Sequence, residues 1–403
     1  MVFWLSGQLL LAQEQYVVRQ TVRSQPEATI VRFPKPVTSL VFSFENWPPA
    51  AAIITEKETV FLRRNSDLDR SASDLIVLPE PCREIKLIHV PPGQEVVVQG
   101  IYARPLRLPD AMRGARPSGR QCEKPAVVPV SIWRSGLTPP RERPTATAVR
   151  FIIVHHEAGS NTATDYVNVA RNIYVYHTQS NGWNDVGYNF LIAPDGTIFE
   201  GRDGQGLMDG DNVLGAHFCG TNSGTMGICL LGNYMTAQPT TASLESLADL
   251  TAWKMKKENL TDPFGSSLHA SSGKTLMTIS GHRDGICSTE CPGTNLYARL
   301  PQIREAVRRA CPDLLRPVVT GMSTDELSMY PNPVVGGELT IISRQPIVAV
   351  QVSDVTGREL SVGLIRQDAQ TWRVTMAGAA EIYFVQVRDA GGRVMVRKVV
   401  MMP

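Results

Sequence analysis

Arg150-Phe151-Ile152-Ile153-Val154-His155-His156-Glu157-Ala158-Gly159 is the stretch that decides how this chain folds. Phe151 to Val154 is continuously apolar, the pattern of a strand covered on both faces rather than one with a wet side. Two histidines and a carboxylate follow at once, where such a strand runs out into a loop. Downstream, strands and helices alternate. Tyr166, Ala170, Ile173 and His177 fall on one helical stripe, with Thr162 and Asp165 expected to box its start. Residues 188–193 and 197–200 flank Pro194-Asp195-Gly196, which predicts a hairpin. A second buried strand is expected over 225–231, and a second amphipathic helix carries Leu244, Leu247, Ala248, Thr251 and Met255. A short strand over 276–280 runs into Gly281-His282, and a closing helix is expected over 295–311. Together these predict one α/β domain over 148–313, a mixed sheet with flanking helices.

The chain of 403 residues extends well beyond that domain on both sides. With 43% hydrophobic and 19% charged residues it can bury real cores, and its length suits two to four domains. A net charge of +2 without long runs of either sign excludes an electrostatically driven nucleic-acid binder. No stretch reaches the roughly 18 apolar residues of a membrane-spanning helix. Residues 1–12 are apolar and end in a small residue, like the tail of a signal peptide. Residues 13–134 read as an all-β domain, expected to be a sandwich, from alternating runs such as Leu40-Val41-Phe42-Ser43-Phe44 and Glu95-Val96-Val97-Val98-Gln99. Three prolines in 135–147 predict a stiff exposed linker. A second linker is expected over 314–328. Alternation at Val348, Val350, Val352 and at Tyr383, Val385, Val387 predicts a small β-sandwich over 329–403.

Three polar clusters sit where buried strands end: His155-His156-Glu157, Gly281-His282-Arg283-Asp284 and Glu290-Cys291-Pro292-Gly293. Two imidazoles and a thiolate make a sound zinc shell with one tetrahedral position left open, which is the catalytic arrangement. Zinc lowers the pKa of water towards about 7 and polarises a carbonyl, chemistry suited to an unactivated amide. Core histidines and a disulfide-bonded Cys291 are the alternative reading of the same spacing.

The ordered motifs VHHEAG, W-x-DVGYNFLI-x-x-DG-x-x-x-EGR, GAH, GICLLGNY, GHRD and ECPG resemble the zinc-dependent N-acetylmuramoyl-L-alanine amidases of the peptidoglycan recognition protein and phage lysozyme type. The resemblance covers about 148–311. It implies Zn2+ held by His155, His282 and Cys291, and cleavage of the amide between N-acetylmuramic acid and the L-alanine of the stem peptide. His155 rather than His156 is the family's ligand position, and neighbours on a strand point to opposite faces. Tyr188 matches the catalytic tyrosine, orienting water or bonding the oxyanion. Thr289 matches a position beside the metal that donates to the scissile carbonyl, although the segment from His282 to Cys291 is one residue longer than in animal members. His177, His217 and Arg202 match groove positions implied to contact peptidoglycan or muropeptides. Cys219 and Cys287 fall in loops that the family places around the groove, so a bridge between them would stiffen its rim. Cys82 is expected to pair with Cys122, and Cys229 to remain a core thiol.

Tyr330-Pro331-Asn332-Pro333, Asp354-Val355-Thr356-Gly357-Arg358, Ile382-Tyr383-Phe384-Val385 and Lys398-Val399-Val400 resemble the C-terminal sorting domain of type IX secretion cargo. This resemblance implies the type IX secretion machinery as a partner, and a monomer that crosses the periplasm to the outer surface or the medium. A peptidoglycan-binding recognition protein without turnover is the rival function.

Overall fold

A computed structural model describes residues 15–65, 71–114, 122–311, 327–334, 337–376 and 382–401. The chain divides into two compact units, Met1–Val318 and Val319–Pro403. Residues 1–12, and 314–326 of the expected second linker, lie outside the described residues.

In the first unit β1 (Gln15–Arg23), β2 (Ala28–Phe44), β3 (Ala52–Ile54), β4 (Thr59–Phe61), β5 (Ile76–Ile88) and β6 (Glu95–Ala103) form one antiparallel sheet, ordered β1-β6-β2-β5-β3-β4. A single sheet thus stands where a sandwich was expected. Its physical reason lies in β2, whose Pro34 and Pro36 have no N–H to give the ladder. The β2–β5 register shifts between Arg32 and Val37 at those prolines, and the second half of β2 pairs with β6 as well. One face of the sheet encloses its own core, including Val31, Leu40, Phe42, Ile53, Ile85, Val96 and Val98. The residues of opposite parity, Val41 and Ile101 among them, join Ala72, Leu75 and Ala103 in one cluster with Ala170, Ile173, Val175 and Leu191 of the α/β region.

The α/β region consists of α1 (Val130–Trp133), β7 (Phe151–His156), α2 (Tyr166–Val175), β8 (Phe190–Ile192), β9 (Ile198–Glu200), β10 (Thr225–Leu230), α3 (Thr241–Lys257), β11 (Ser266–His269), β12 (Lys274–Met277), β13 (Ile279–Gly281), α4 (Thr294–Tyr297) and α5 (Leu300–Ala310). Its main sheet is ordered β13-β7-β10-β8-β9, parallel except for the β8–β9 hairpin. Ile152 and Val154 point into a core with Leu247, Leu250 and Met255 of α3 and Ile303 and Val307 of α5. Phe151 and Ile153 point the other way, onto Phe218 and Leu276. Both faces of β7 are therefore covered, as its continuous apolarity requires.

Local departures have local causes. The expected box from Thr162 does not form: α2 starts after Asp165, whose carboxylate accepts from the Asn168 amide at 2.7 Å. Thr240 caps α3 by accepting from the Ser243 N–H at 3.1 Å. Segment 135–147, expected as a stiff exposed linker, is mostly exposed and is also hydrogen-bonded along the α/β region. Arg171 donates to the carbonyls of Trp133 (2.7 Å) and Ser135 (2.9 Å), Tyr174 to that of Thr138 (2.5 Å), and the Leu214 N–H to that of Thr145 (2.7 Å).

Cys219 pairs with Cys287, whereas Cys122 pairs with Cys311 and not with Cys82. The Cys122–Cys311 bond closes a separation of 189 residues and fastens the approach to α1 onto the end of α5. Cys82 lies in β5 opposite Val37, and neither it, Cys229 nor Cys291 is in a disulfide.

The second unit holds β14 (Leu327–Tyr330), β15 (Glu338–Ser343), β16 (Ile347–Asp354), β17 (Gly363–Arg366), β18 (Thr371–Thr375), β19 (Ile382–Asp389) and β20 (Val394–Val400). They form two sheets, β14-β15-β18-β17 and β16-β19-β20, around one core that includes Leu339, Ile341, Val352, Val374, Val385 and Val399.

Candidate active site

Parallel strands deliver their carboxyl ends to one edge of a sheet, and the side chains that follow them converge there. His155 is the penultimate residue of β7, and His282 directly follows β13, the neighbour of β7. Cys291 returns to the same edge because the Arg283 N–H donates to its carbonyl at 2.9 Å. Asp284 steadies that return by accepting from the Gly281 N–H at 2.8 Å and from the Tyr297 hydroxyl at 2.6 Å. Donor atoms of His155, His282 and Cys291 lie within 4.8 Å of one another, and all three residues are buried.

This set fits zinc. A tetrahedral ion at the usual Zn–S and Zn–N lengths holds nitrogen and sulfur roughly 3.5 Å apart. His155 Nδ1 and Cys291 Sγ are 3.6 Å apart. The opposite nitrogen, His155 Nε2, lies 3.0 Å from His217 Nδ1, and His217 Nε2 lies 3.3 Å from the Thr225 hydroxyl. Such outer partners fix ring orientation at metal sites. His217 reaches this place because two motif residues lack side chains: a Cβ on Gly227 would lie 2.6 Å from its ring, and one on Gly215 2.5 Å. His282 Nε2 faces the rim disulfide, 3.3 Å from Cys219 Sγ and 3.7 Å from Cys287 Sγ. Burial first, then neighbouring imidazoles, holds His155 well below the ordinary histidine range; burial, His282 and Arg202 do the same to His217. Neutral imidazole is the form that binds metal. His156 belongs to packing: its Nδ1 accepts from the Tyr234 N–H at 3.2 Å, and its own N–H donates to Cys291 Sγ at 3.4 Å.

A cavity of about 320 Å³ opens over the cluster, lined by Tyr188, His177, His217, His282 and Cys291. The Tyr188 ring sits 5.2 Å, centroid to centroid, from that of His155. His177 lies on a π-helical turn, Tyr176–Ser180, that continues α2. Its Nδ1 accepts from the Gly187 N–H at 3.1 Å, and its ring packs 4.6 Å from Trp183. Burial, with the Arg202 charge nearby, pushes His177 down to about 3.

Two expected contact residues do not line this cavity. Arg202 is buried behind the β8–β9 hairpin, its N–H donating to the Tyr188 carbonyl at 2.9 Å, with Asp185 supporting its charge. Thr289 lies in the return loop and accepts from the Cys291 N–H at 3.0 Å. Conversely, Glu157, Tyr176, Trp183 and Asn222 line the cavity without having been singled out, as do Asn65 and Leu75 of the N-terminal region. Burial pushes Glu157 up to about 7, and it accepts from the Gly232 N–H at 3.2 Å. Its place in His155-His156-Glu157 was the one available signal. Asn65 and Leu75 had none, since they arrive through tertiary packing.

A mixed sheet ending in a buried His-His-Cys cluster under an aromatic and imidazole-lined cavity defines an α/β domain of the amidase and peptidoglycan-recognition class. Residues 145–294 match the Amidase_2 family model, described as N-acetylmuramoyl-L-alanine amidase. The chain is 34% identical over 173 residues to peptidoglycan-recognition protein SC2 of Drosophila simulans, covering 42% of this chain and 82% of that protein. It is 37% identical over 157 residues to peptidoglycan recognition protein 1 of Bos taurus, covering 38% and 72%. Against the N-acetylmuramoyl-L-alanine amidase of Homo sapiens it is 32% identical over 179 residues, which is 43% of this chain and 27% of that longer protein. The chain belongs to this family of amidases and peptidoglycan recognition proteins.

Proposed function

We propose that the protein is a secreted zinc-dependent N-acetylmuramoyl-L-alanine amidase, hydrolysing the amide between the lactyl group of N-acetylmuramic acid and the L-alanine of peptidoglycan. The observation that carries this reading is the convergence of His155, His282 and Cys291, with His282, Cys291 and Tyr188 lining one cavity. Those three residues would hold Zn2+, which when bound supplies a Lewis acid that activates water and polarises the amide carbonyl. The remaining work falls to the chain's own groups. Tyr188 is positioned to hydrogen-bond charge developing on the carbonyl oxygen, a contribution of the oxyanion-hole kind. His217 keeps the His155 ring turned towards Cys291. His177, neutral and braced by Gly187 and Trp183, offers a rigid wall to the muropeptide. Arg202 backs the hairpin that carries Tyr188, and Thr289 pins the Cys291 loop, so both act as positioning residues.

We assign the second unit to type IX export, after which a monomer reaches the outer surface or the medium. Tyr330-Pro331-Asn332-Pro333 follows from β14, Asp354 organises its turn by accepting from the N–H groups of Thr356 (2.9 Å) and Arg358 (3.1 Å), and the other two motifs lie in β19 and β20. Mass spectrometry of a defined muropeptide tests the catalytic reading. Released stem peptide, lost on chelation and restored by zinc, is expected; a muropeptide bound but left intact by the zinc-loaded protein makes it a recognition protein instead.

A further inference from the structure

The N-terminal region contributes to the cavity above the His-His-Cys cluster, through Asn65 and Leu75 of the connection between β4 and β5. Leu75, buried at 6% exposure, also lines a second cleft of about 250 Å³. One side of that cleft is the loop 158–162, which directly continues His156 and Glu157 of the first cavity; the other is β4 with Glu58, Arg63 and Asp74. The two spaces therefore share a residue and a run of chain, and together make a groove leading away from the cluster with the N-terminal sheet as one wall.

That wall is fixed. Leu75 belongs to the hydrophobic core shared with α2. Thr38 and Ser39 hydroxyls donate to the buried side-chain amide oxygen of Asn172, Oδ1, at 2.6 and 2.8 Å. Arg63 donates to the Thr236 hydroxyl at 3.1 Å, a bond from the β4–β5 connection to the α/β region. A wall held by a common core and these bonds behaves as part of the binding surface, with no ordering cost on binding.

We propose that this extension binds the glycan strand that carries the scissile muramic acid, with Phe61 as its stacking platform. Phe61 is 64% exposed on the edge strand β4 and lines the cleft, which leaves its ring surface open to a ligand there. The hydroxyls of Ser160, Thr162 and Thr59 supply neutral groups that pair with sugar hydroxyls and N-acetyl groups, while the Asn161 amide is engaged by Asn233 and Thr236. The proposal deepens the amidase reading, since it takes the reacting end of the groove from it.

Glycan chains stripped of their stem peptides contain no scissile amide, so the intact wild-type protein can be titrated with them. Binding measured by calorimetry should weaken about 5–10-fold in Phe61→Ala, the scale of a lost aromatic anchor, and return in Phe61→Trp. Circular dichroism melting checks that both variants fold. Equal affinity of wild type and Phe61→Ala for the stripped glycan overturns the proposal. So does an isolated stem peptide whose binding, unlike that of glycan, depends on Phe61. Phe61-dependent glycan binding by a protein that releases no stem peptide from muropeptides supports the groove while removing the amidase reading.

Discussion

The α/β region and the C-terminal unit solve burial in opposite ways. Among the described residues, the C-terminal core is apolar almost throughout, with Ser343 and Asp389 its only buried polar side chains. The α/β region buries five histidines within or beside one cavity (His155, His156, His177, His217 and His282), together with Cys291, Asp185 and Arg202. Buried polar groups cost stability unless each is hydrogen-bonded, so a fold retains them where they do chemistry. On the proposed function chemistry belongs to the α/β region, and each region can be tested for the property that reading gives it.

Removing the thiolate should break the contrast most completely. Cys291→Ser takes one ligand from the cluster while conserving its volume, so hydrolysis of a defined muropeptide should fall below detection and bound zinc should be lost. Metal analysis of the purified variant checks this; full zinc content with full activity would falsify the metal assignment. Tyr188→Phe comes next. Loss of one oxyanion donor lowers kcat by roughly 10²–10³-fold. Zinc content should be unchanged, and a variant that loses metal instead would make Tyr188 a structural residue.

A smaller effect concerns stability. His177 titrates near 3 in the folded chain because it is buried, against about 6.5 when unfolded. Below pH 6.5 the unfolded chain binds a proton that the folded chain refuses, so stability falls as pH falls, and the loss continues towards pH 3. Between pH 6.5 and 5 this one group costs about 1.6 kcal/mol. Denaturant melts at the two pH values should show His177→Gln losing less stability than wild type by that amount. Equal losses would mean that His177 is solvated.

Much of this was legible in the sequence, and the limits are physical. Phe151–Val154 announced a strand covered on both faces; strand alternation said that one of His155 and His156 could reach a metal, and the family resemblance chose His155. The spacing of Leu244, Leu247 and Thr251 announced α3. Long-range pairing was silent: nothing local links Cys122 to Cys311 across 189 residues, and the pairing expected with Cys82 was simply the nearer choice. The N-terminal strands showed their alternation but not that the outward set, Val41 and Ile101, would meet α2. His217 was read as a groove contact; its second role, bracing His155, depends on the missing side chains of Gly215 and Gly227 in three dimensions.

The smallest expected effect is the sharpest test of the comparison. If the second unit carries no chemistry, cutting the chain after Val318 should leave muropeptide hydrolysis within about twofold of the full chain. Everything placed around the cavity lies before that point, and so does Cys311, whose bond to Cys122 must survive the cut. A truncation made a few residues earlier would open that disulfide and confuse loss of a staple, typically a few kcal/mol, with loss of a catalytic part. Export should respond differently: the truncated chain is expected to stay in the periplasm while the full chain reaches the medium. Assaying both fractions for muropeptide hydrolysis separates the two properties. Unimpaired secretion of the truncated protein would remove the sorting role, and a large drop in the hydrolysis rate of the purified truncated protein would place part of the catalytic machinery beyond Val318.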